Sequence, residues 1–106
     1  MKSRYPLIRL EIYQTHEQAK NAFKEARVSF GDMFSYKITD LSMSDKHLEV
    51  RFVVPDITYL KGGMVDKMVI HFPIDLQGDL YTELKLLINP RTTVENPIVL
   101  KGSIND

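Results

Sequence analysis

Alternating apolar and polar positions mark two strands in the middle of the chain. In residues 47–54 (HLEVRFVV), Leu48, Val50 and Phe52 alternate with polar or charged side chains, and residues 67–72 (KMVIHF) repeat the alternation. A period of two places one row of side chains on each face of a sheet. We therefore expect one apolar row to pack against the core and the other row to face solvent.

The flanking segments predict further strands and two helices. Residues 7–13 and 34–41 alternate in the same way, and the second segment is expected to form a hairpin with the strand at 47–54. Residues 15–30 have helical apolar spacing behind a capping box, in which Thr15 precedes Gln18 by three positions. A second helix is expected after Asp79 and before Pro90, and a last strand near residues 98–100 is left open.

This order predicts an α+β fold for a single domain, residues 1–106. The order β-α-β-β-β-α, with or without a final strand, is typical of a two-layer sandwich. We expect a mainly antiparallel sheet of four to five strands with both helices on one face. The opposite face would then be bare, and it would carry Arg9, Glu11, His47, Glu49, Arg51, Val53, Val69 and His71.

Composition narrows the classes of function. Fourteen Lys and Arg residues and fourteen Asp and Glu residues give a net charge of zero. The chain therefore lacks the net positive charge that is typical of nucleic-acid-binding proteins. The absence of cysteine excludes disulfides, zinc–thiolate sites and thiol nucleophiles, and it fits a cytoplasmic location. Arg9 and Glu11 interrupt the first apolar run, so neither a signal peptide nor a membrane span is expected. No cofactor is predicted.

The segment between the two central strands is the leading candidate for contact with another protein. Residues 56–66 are long for a hairpin connection, contain two glycines and carry apolar side chains, which are typical interface anchors when exposed. The leading hypothesis is a non-enzymatic accessory or inhibitor-type module that binds a protein partner and forms a homodimer. The predicted contact residues are Arg51, Val53, Ile57, Tyr59, Leu60, Met64, Val69 and His71.

Nucleic-acid binding is the main alternative. Lys20, Lys24 and Arg27 follow one side of the first predicted helix, where they could contact phosphates together with Lys61. Acidic residues on the same helix dilute this stripe, and a solvated helix flank is the ordinary interpretation.

A metal-dependent nuclease or hydrolase is the lesser alternative. Asp56, Glu83 and Lys85 fit the letters of a PD-(D/E)xK nuclease site, but the second and third fall in a predicted helix rather than at strand ends. His47, Glu49 and His71 have the side chains of a metal site, although their register is not fixed by the sequence. No catalytic or metal-binding residue is therefore assigned.

Overall fold

The computed structural model describes residues 6–56, 64–76 and 79–102. These residues form an α+β fold with one mixed sheet and two α-helices. The strands are β1 (Leu7–Ile12), β2 (Ser35–Lys37), β3 (Ser42–Ser44), β4 (Leu48–Val53), β5 (Lys67–His71) and β6 (Ile98–Lys101). The helices are α1 (His16–Phe30), which a 3-10 turn (Gly31–Met33) follows directly, and α2 (Leu80–Lys85).

The sheet is mostly parallel, which corrects the predicted antiparallel arrangement. The strand order is β2-β3-β4-β1-β5-β6. β1 lies between β4 and β5 and runs parallel to both, and β6 runs parallel to β5. Antiparallel pairing joins β2 to β3 and β3 to β4. The connection from β4 to β5 is about a dozen residues long. A crossover between parallel strands requires this length, whereas a hairpin needs only a few residues.

The register of β1 against β4 sends their apolar rows to opposite faces. Glu11 of β1 lies beside Phe52 of β4, and Ile12 lies beside Val53. Directly paired residues point to the same face of a sheet, so the apolar Phe52 shares its face with the charged Glu11. Each half of the sheet therefore needs its own core, on its own side.

The two helices cover these two cores from opposite faces. On one face, Phe23 of α1 packs edge-to-face on Phe52, with ring centroids 5.8 Å apart. On the other face, Leu84 of α2 packs with Leu10 and Ile12 of β1. The prediction that both helices lie on one face was wrong, because it assumed that the apolar rows of β1 and β4 point the same way. We call the two sides the α1 face and the α2 face.

Two buried clusters result, one on each face. The cluster on the α1 face lies mainly between α1 and strands β3 and β4; its buried members are Ala19, Phe23, Leu41, Met43, Val50 and Phe52. The cluster on the α2 face lies between α2 and strands β1 and β5; its buried members are Leu10, Ile12, Val65, Met68, Ile70 and Leu84.

The ends of α1 follow the predicted pattern. The Thr15 hydroxyl accepts a hydrogen bond from the Gln18 N–H at 3.2 Å, and the Gln18 side chain accepts one from the Thr15 N–H at 3.2 Å. This confirms the capping box, which satisfies two donors that a helix start leaves free. At the other end, Gly31 has a φ of 53° and its N–H donates to the Arg27 carbonyl. A positive φ at this position favours glycine.

The segment before β4 differs from its prediction. Instead of one strand over residues 34–41, two short strands pair with each other around a turn at residues 38–41. Leu41 has a φ of 50° there. The hairpin with β4 is formed by β3 (Ser42–Ser44) and not by residues 34–41, so the turn is shorter than the one over residues 42–46 that the sequence predicted. The Asp45 carboxylate forms this turn by accepting hydrogen bonds from the N–H groups of His47 and Leu48, both at 2.8 Å. These donors also lower the pKa of Asp45.

The C-terminal third is partly as predicted. The second helix is present but ends at Lys85, and Ile88 instead makes a bridge to Val65 beside the sheet. The Asp79 side chain makes no capping hydrogen bond. The last strand, left open from the sequence, forms as β6 at the edge of the sheet.

Candidate functional site

The structure does not place the predicted protein-binding residues on one surface. The register puts Arg51 and Val53 on the α2 face, whereas Val69 and His71 lie on the α1 face, where Val69 is buried. Met64 is exposed. The other predicted protein contacts, Ile57, Tyr59 and Leu60, lie outside the described residues, as does Lys61 of the nucleic-acid alternative. The roles of these residues in binding stay predictions. The prediction that Arg51, Val53, Val69 and His71 share one bare face was wrong.

The residues considered for metal or nuclease chemistry are also separated. Glu49 lies on the α2 face and His71 on the α1 face, so these two do not meet. Glu83 and Lys85 are exposed on α2 and do not lie at strand ends. Over residues 6–56, 64–76 and 79–102, no group of three metal-ligating side chains comes together.

A charged cluster occupies the part of the α1 face over β1 and β5. The Glu11 carboxylate lies between the Arg9 guanidinium and the His71 imidazole; one oxygen binds the Arg9 Nε and the other lies 2.6 Å from the His71 Nε2. The Tyr13 ring stacks on the His71 ring, with centroids 4.2 Å apart and planes 9° apart. Burial, followed by the negative charges of Glu11 and Glu25, raises the pKa of Tyr13 to about 12.

This cluster is internally satisfied. Both oxygens of Glu11 have a partner, and the Tyr13 hydroxyl is held in its neutral form at ordinary pH. Among the described side chains, no buried nitrogen or oxygen lacks a hydrogen-bond partner. A buried carboxylate with two partners is the arrangement that burial of a charge requires, so the cluster is explained without a ligand.

The groove beside α1 is a better candidate for binding. A cavity of about 270 Å³ lies between this helix and the turn at residues 38–41. Its lining residues are His16, Lys20, Phe23, Lys24, Arg27, Ile38, Thr39 and Leu41. Phe23 and Leu41 are buried and form an apolar floor, while Ile38 and the four basic residues are exposed at the rim. We call this feature the α1 groove.

Helical spacing explains the basic rim. His16, Lys20, Lys24 and Arg27 are three or four residues apart, so they follow one flank of α1 beside the buried stripe that contains Ala19 and Phe23. The Arg27 guanidinium lies 5.8 Å from the centre of the Tyr36 ring, a cation–π contact that orients the last cation of the row.

The turn between β2 and β3 supplies the other wall. The Leu41 N–H donates to the Ile38 carbonyl at 3.3 Å, and the Phe52 N–H donates to the Leu41 carbonyl at 2.9 Å. The first bond closes the turn and the second holds it against β4, and Leu41 is buried in the core below the groove. Of the eight lining residues, the prediction for nucleic-acid binding had named Lys20, Lys24 and Arg27.

The other five lining residues were not predicted. His16 could have been found, because it lies four residues before Lys20 and extends the same row along the helix. Ile38, Thr39 and Leu41 carry no such signal, since the sequence predicted a strand there and the wall is a turn. The assembled groove combines four basic side chains with an apolar floor, and none of its lining residues is acidic. This combination suits a ligand that carries both carboxylate or phosphate groups and an apolar part.

Comparison with known proteins adds no assignment: the chain matches no protein-family model, no curated protein and no solved structure. In the part of the chain that the structure describes, neither helix has the length and apolar character that crossing a membrane requires.

Proposed function

We propose that this protein is a non-enzymatic interaction module that binds an acidic, partly apolar segment of a protein partner in the α1 groove. The observation that supports this proposal is the lining of the groove, where four basic side chains of α1 form one wall beside an apolar floor and no lining residue is acidic. The whole chain has fourteen Lys and Arg residues and fourteen Asp and Glu residues, so the positive charge of Lys20, Lys24 and Arg27 in the groove does not follow from overall composition.

The size of the groove favours a peptide anchor over an enclosed small molecule. A volume of about 270 Å³ is just below the range of about 300–1,000 Å³ for small-molecule pockets, and the groove is partly open to solvent. It can hold one or two apolar side chains of an extended or helical segment. Exposed Ile38 at the rim and buried Phe23 at the floor would contact those side chains, and apolar anchors of this kind provide most of the affinity at many interfaces.

The basic rim would select the partner and set its register. Lys20, Lys24 and Arg27 are exposed, so each retains most of its hydration and contributes little to affinity by itself. Together they accelerate association with an acidic segment and disfavour a basic one.

The absence of cysteine supports a reducing compartment, and we infer a cytoplasmic location.

Nucleic-acid binding by Lys20, Lys24 and Arg27, with Lys61 from outside the described residues, is the second candidate. The three cations on one groove wall favour it, because they could follow a phosphate backbone. The only aromatic residue of the lining is the buried Phe23, which cannot stack on a base as the aromatic residues of single-strand binders do. The apolar floor would then have no role, so we favour the peptide.

A titration with two probe peptides tests the proposal. The first alternates glutamate with leucine, and the second replaces each glutamate with glutamine. We expect the first peptide to shift the backbone NMR signals of residues 16–27 and 38–41, and the second to bind at least about tenfold more weakly. Lys24→Glu should weaken binding of the acidic peptide, because it removes one cation and places a carboxylate in the centre of the rim.

Lys85→Glu is the matched control. It makes the same change in net charge on α2, which lies on the other face of the sheet, and should leave binding unchanged. Equal loss of binding in both variants would show that only overall charge matters and would refute the groove. Binding of a single-stranded oligonucleotide that Lys24→Glu abolishes, without binding of either peptide, would replace the proposal by the second candidate.

A further inference from the structure

Strand β6 forms the edge of the sheet, and its hydrogen-bonding pattern identifies which backbone groups point outward. The Met68 N–H donates to the Pro97 carbonyl at 2.7 Å, and the Phe72 N–H donates to the Lys101 carbonyl at 2.8 Å. In a parallel ladder, alternate residues of a strand bond to a given neighbour. Residues 97, 99 and 101 therefore face β5, whereas Ile98 and Leu100 direct their N–H and C=O groups away from the sheet.

This outer edge has no protection within the described part of the chain. β6 is the last strand in the sheet order, and no described backbone group pairs with Ile98 or Leu100. The Leu100 side chain is 57% exposed although it belongs to a strand. An edge that offers two donors, two acceptors and an exposed leucine is a template for another strand.

We propose that β6 pairs antiparallel with β6 of a second copy of this chain, about a twofold axis at Val99. In this register Ile98 lies opposite the partner's Leu100, and the two residues exchange both backbone hydrogen bonds. Symmetry repeats the exchange on the other side of Val99, so four hydrogen bonds form. The same residues serve both copies, which is what a twofold interface requires.

Side-chain placement supports the second copy as the occupant. Ile98 and Leu100 point to the same face, so the pairing places the exposed Leu100 against the partner's Ile98. Lys101 is the last residue of β6, and Glu95 lies three residues before the strand begins. In the antiparallel pair, the Lys101 residues of the two copies lie at opposite ends of the junction. Each Lys101 therefore lies toward the end at which Glu95 of the other copy is located. A two-strand junction buries less surface than a standard stable interface, so we expect weak association.

Amide hydrogen exchange measured over a concentration series, from about 10 μM to about 1 mM, tests the register. The N–H groups of Val99 and Lys101 bond to β5 and should be protected at every concentration. Those of Ile98 and Leu100 should gain protection only as the concentration rises. Ile98 and Leu100 amides that stay unprotected at the highest concentration would overturn the proposal, as would protection that does not depend on concentration.

Two variants link this protection to the dimer. Leu100→Pro removes an outward N–H and no bond to β5, and Leu100→Lys places a charge opposite the partner's Ile98. Each should weaken self-association in sedimentation velocity by at least about tenfold, a loss of about 1.4 kcal/mol. Leu86→Lys, at an exposed leucine just after α2, should have no effect. A dimer that both Leu100 variants leave intact must use another surface and would refute the edge. The test is independent of the α1 groove.

Discussion

Each half of the sheet, β1 with β5 and β4 with β3, has an apolar core on one face and an ion pair on the other. The two halves place their cores on opposite faces. Over β1 and β5, the core lies on the α2 face and an Arg9–Glu11 ion pair lies on the α1 face. Over β4, the core lies on the α1 face and a Glu49–Arg51 ion pair lies on the α2 face. In both pairs the charged residues are two positions apart on one strand, so alternation alone places them side by side.

The two ion pairs differ in burial. The Glu11 side chain is 10% exposed and has His71 as a second partner, whereas the Glu49 side chain is 27% exposed and pairs with Arg51 at 2.6 Å. β1 is flanked by two long strands, and Phe52 and Val69 lie beside Glu11. The neighbours of a strand, and not its own pattern of residues, therefore decide whether an ion pair is buried and must be fully compensated.

The largest expected effect comes from breaking either core. Leu84→Ala in α2 should lower the free energy of unfolding by about 2–5 kcal/mol, and Phe23→Ala in α1 by about 3–5 kcal/mol, because both side chains are buried. The two cores share the central strands, so each variant should shift a single unfolding transition in urea. A two-step transition in either variant would show that the halves unfold separately.

Leu86→Ala is the control for the helix α2. Leu86 is 74% exposed and Leu84 is fully buried, although the two lie two residues apart. Removing the exposed leucine should change the free energy of unfolding by no more than about 0.5 kcal/mol. A similar cost for both leucines would mean that α2 does not pack as described.

Local features of this fold could be predicted from the sequence, whereas the pairing of strands could not. The capping box of Thr15 and Gln18 and the turn at Asp45 depend on neighbours within four residues, and both are present. The alternation at residues 48–53 and 67–71 also indicated true strands. Parallel pairing and register depend on contacts between distant segments, and a shift of one residue moves a whole row to the other face.

The candidate site shows the same limit. The basic row Lys20, Lys24 and Arg27 could be read from helical spacing, because a helix brings those residues to one flank without help from the rest of the chain. The opposite wall at residues 38–41 is a turn with a positive φ at Leu41. Strand propensity in that segment concealed the turn, and with it the groove.

An intermediate effect is expected from removing each glutamate in turn. Glu11→Ala removes charge-assisted hydrogen bonds to Arg9 and His71 and should cost about 1.5–3 kcal/mol. Glu49→Ala removes a more exposed pair and should cost less than about 1 kcal/mol. Urea unfolding at neutral pH measures both. Equal costs would mean that burial does not distinguish the two pairs, and a larger cost for Glu49 would reverse the comparison.

The smallest expected effect on stability is confined to alkaline pH. It arises from Tyr13 and concerns only the more buried ion pair, Arg9–Glu11. The pKa of Tyr13 is raised from 10.0 to about 12 in the folded protein, so between these values the unfolded chain loses the phenol proton more readily than the folded protein does. This contribution to stability is complete below pH 10 and is lost as the pH rises toward about 12. Tyr13→Phe should flatten the fall in stability over that interval.

Glu11→Gln should reduce the fall in stability only in part, because burial is the larger cause of the raised Tyr13 pKa and the charge of Glu11 is the second. Glu49→Gln is the matched control and should leave the profile unchanged, since Glu49 lies on the opposite face. A Tyr13→Phe profile identical to that of the unmodified protein would show that the pKa of Tyr13 is not raised in the folded protein.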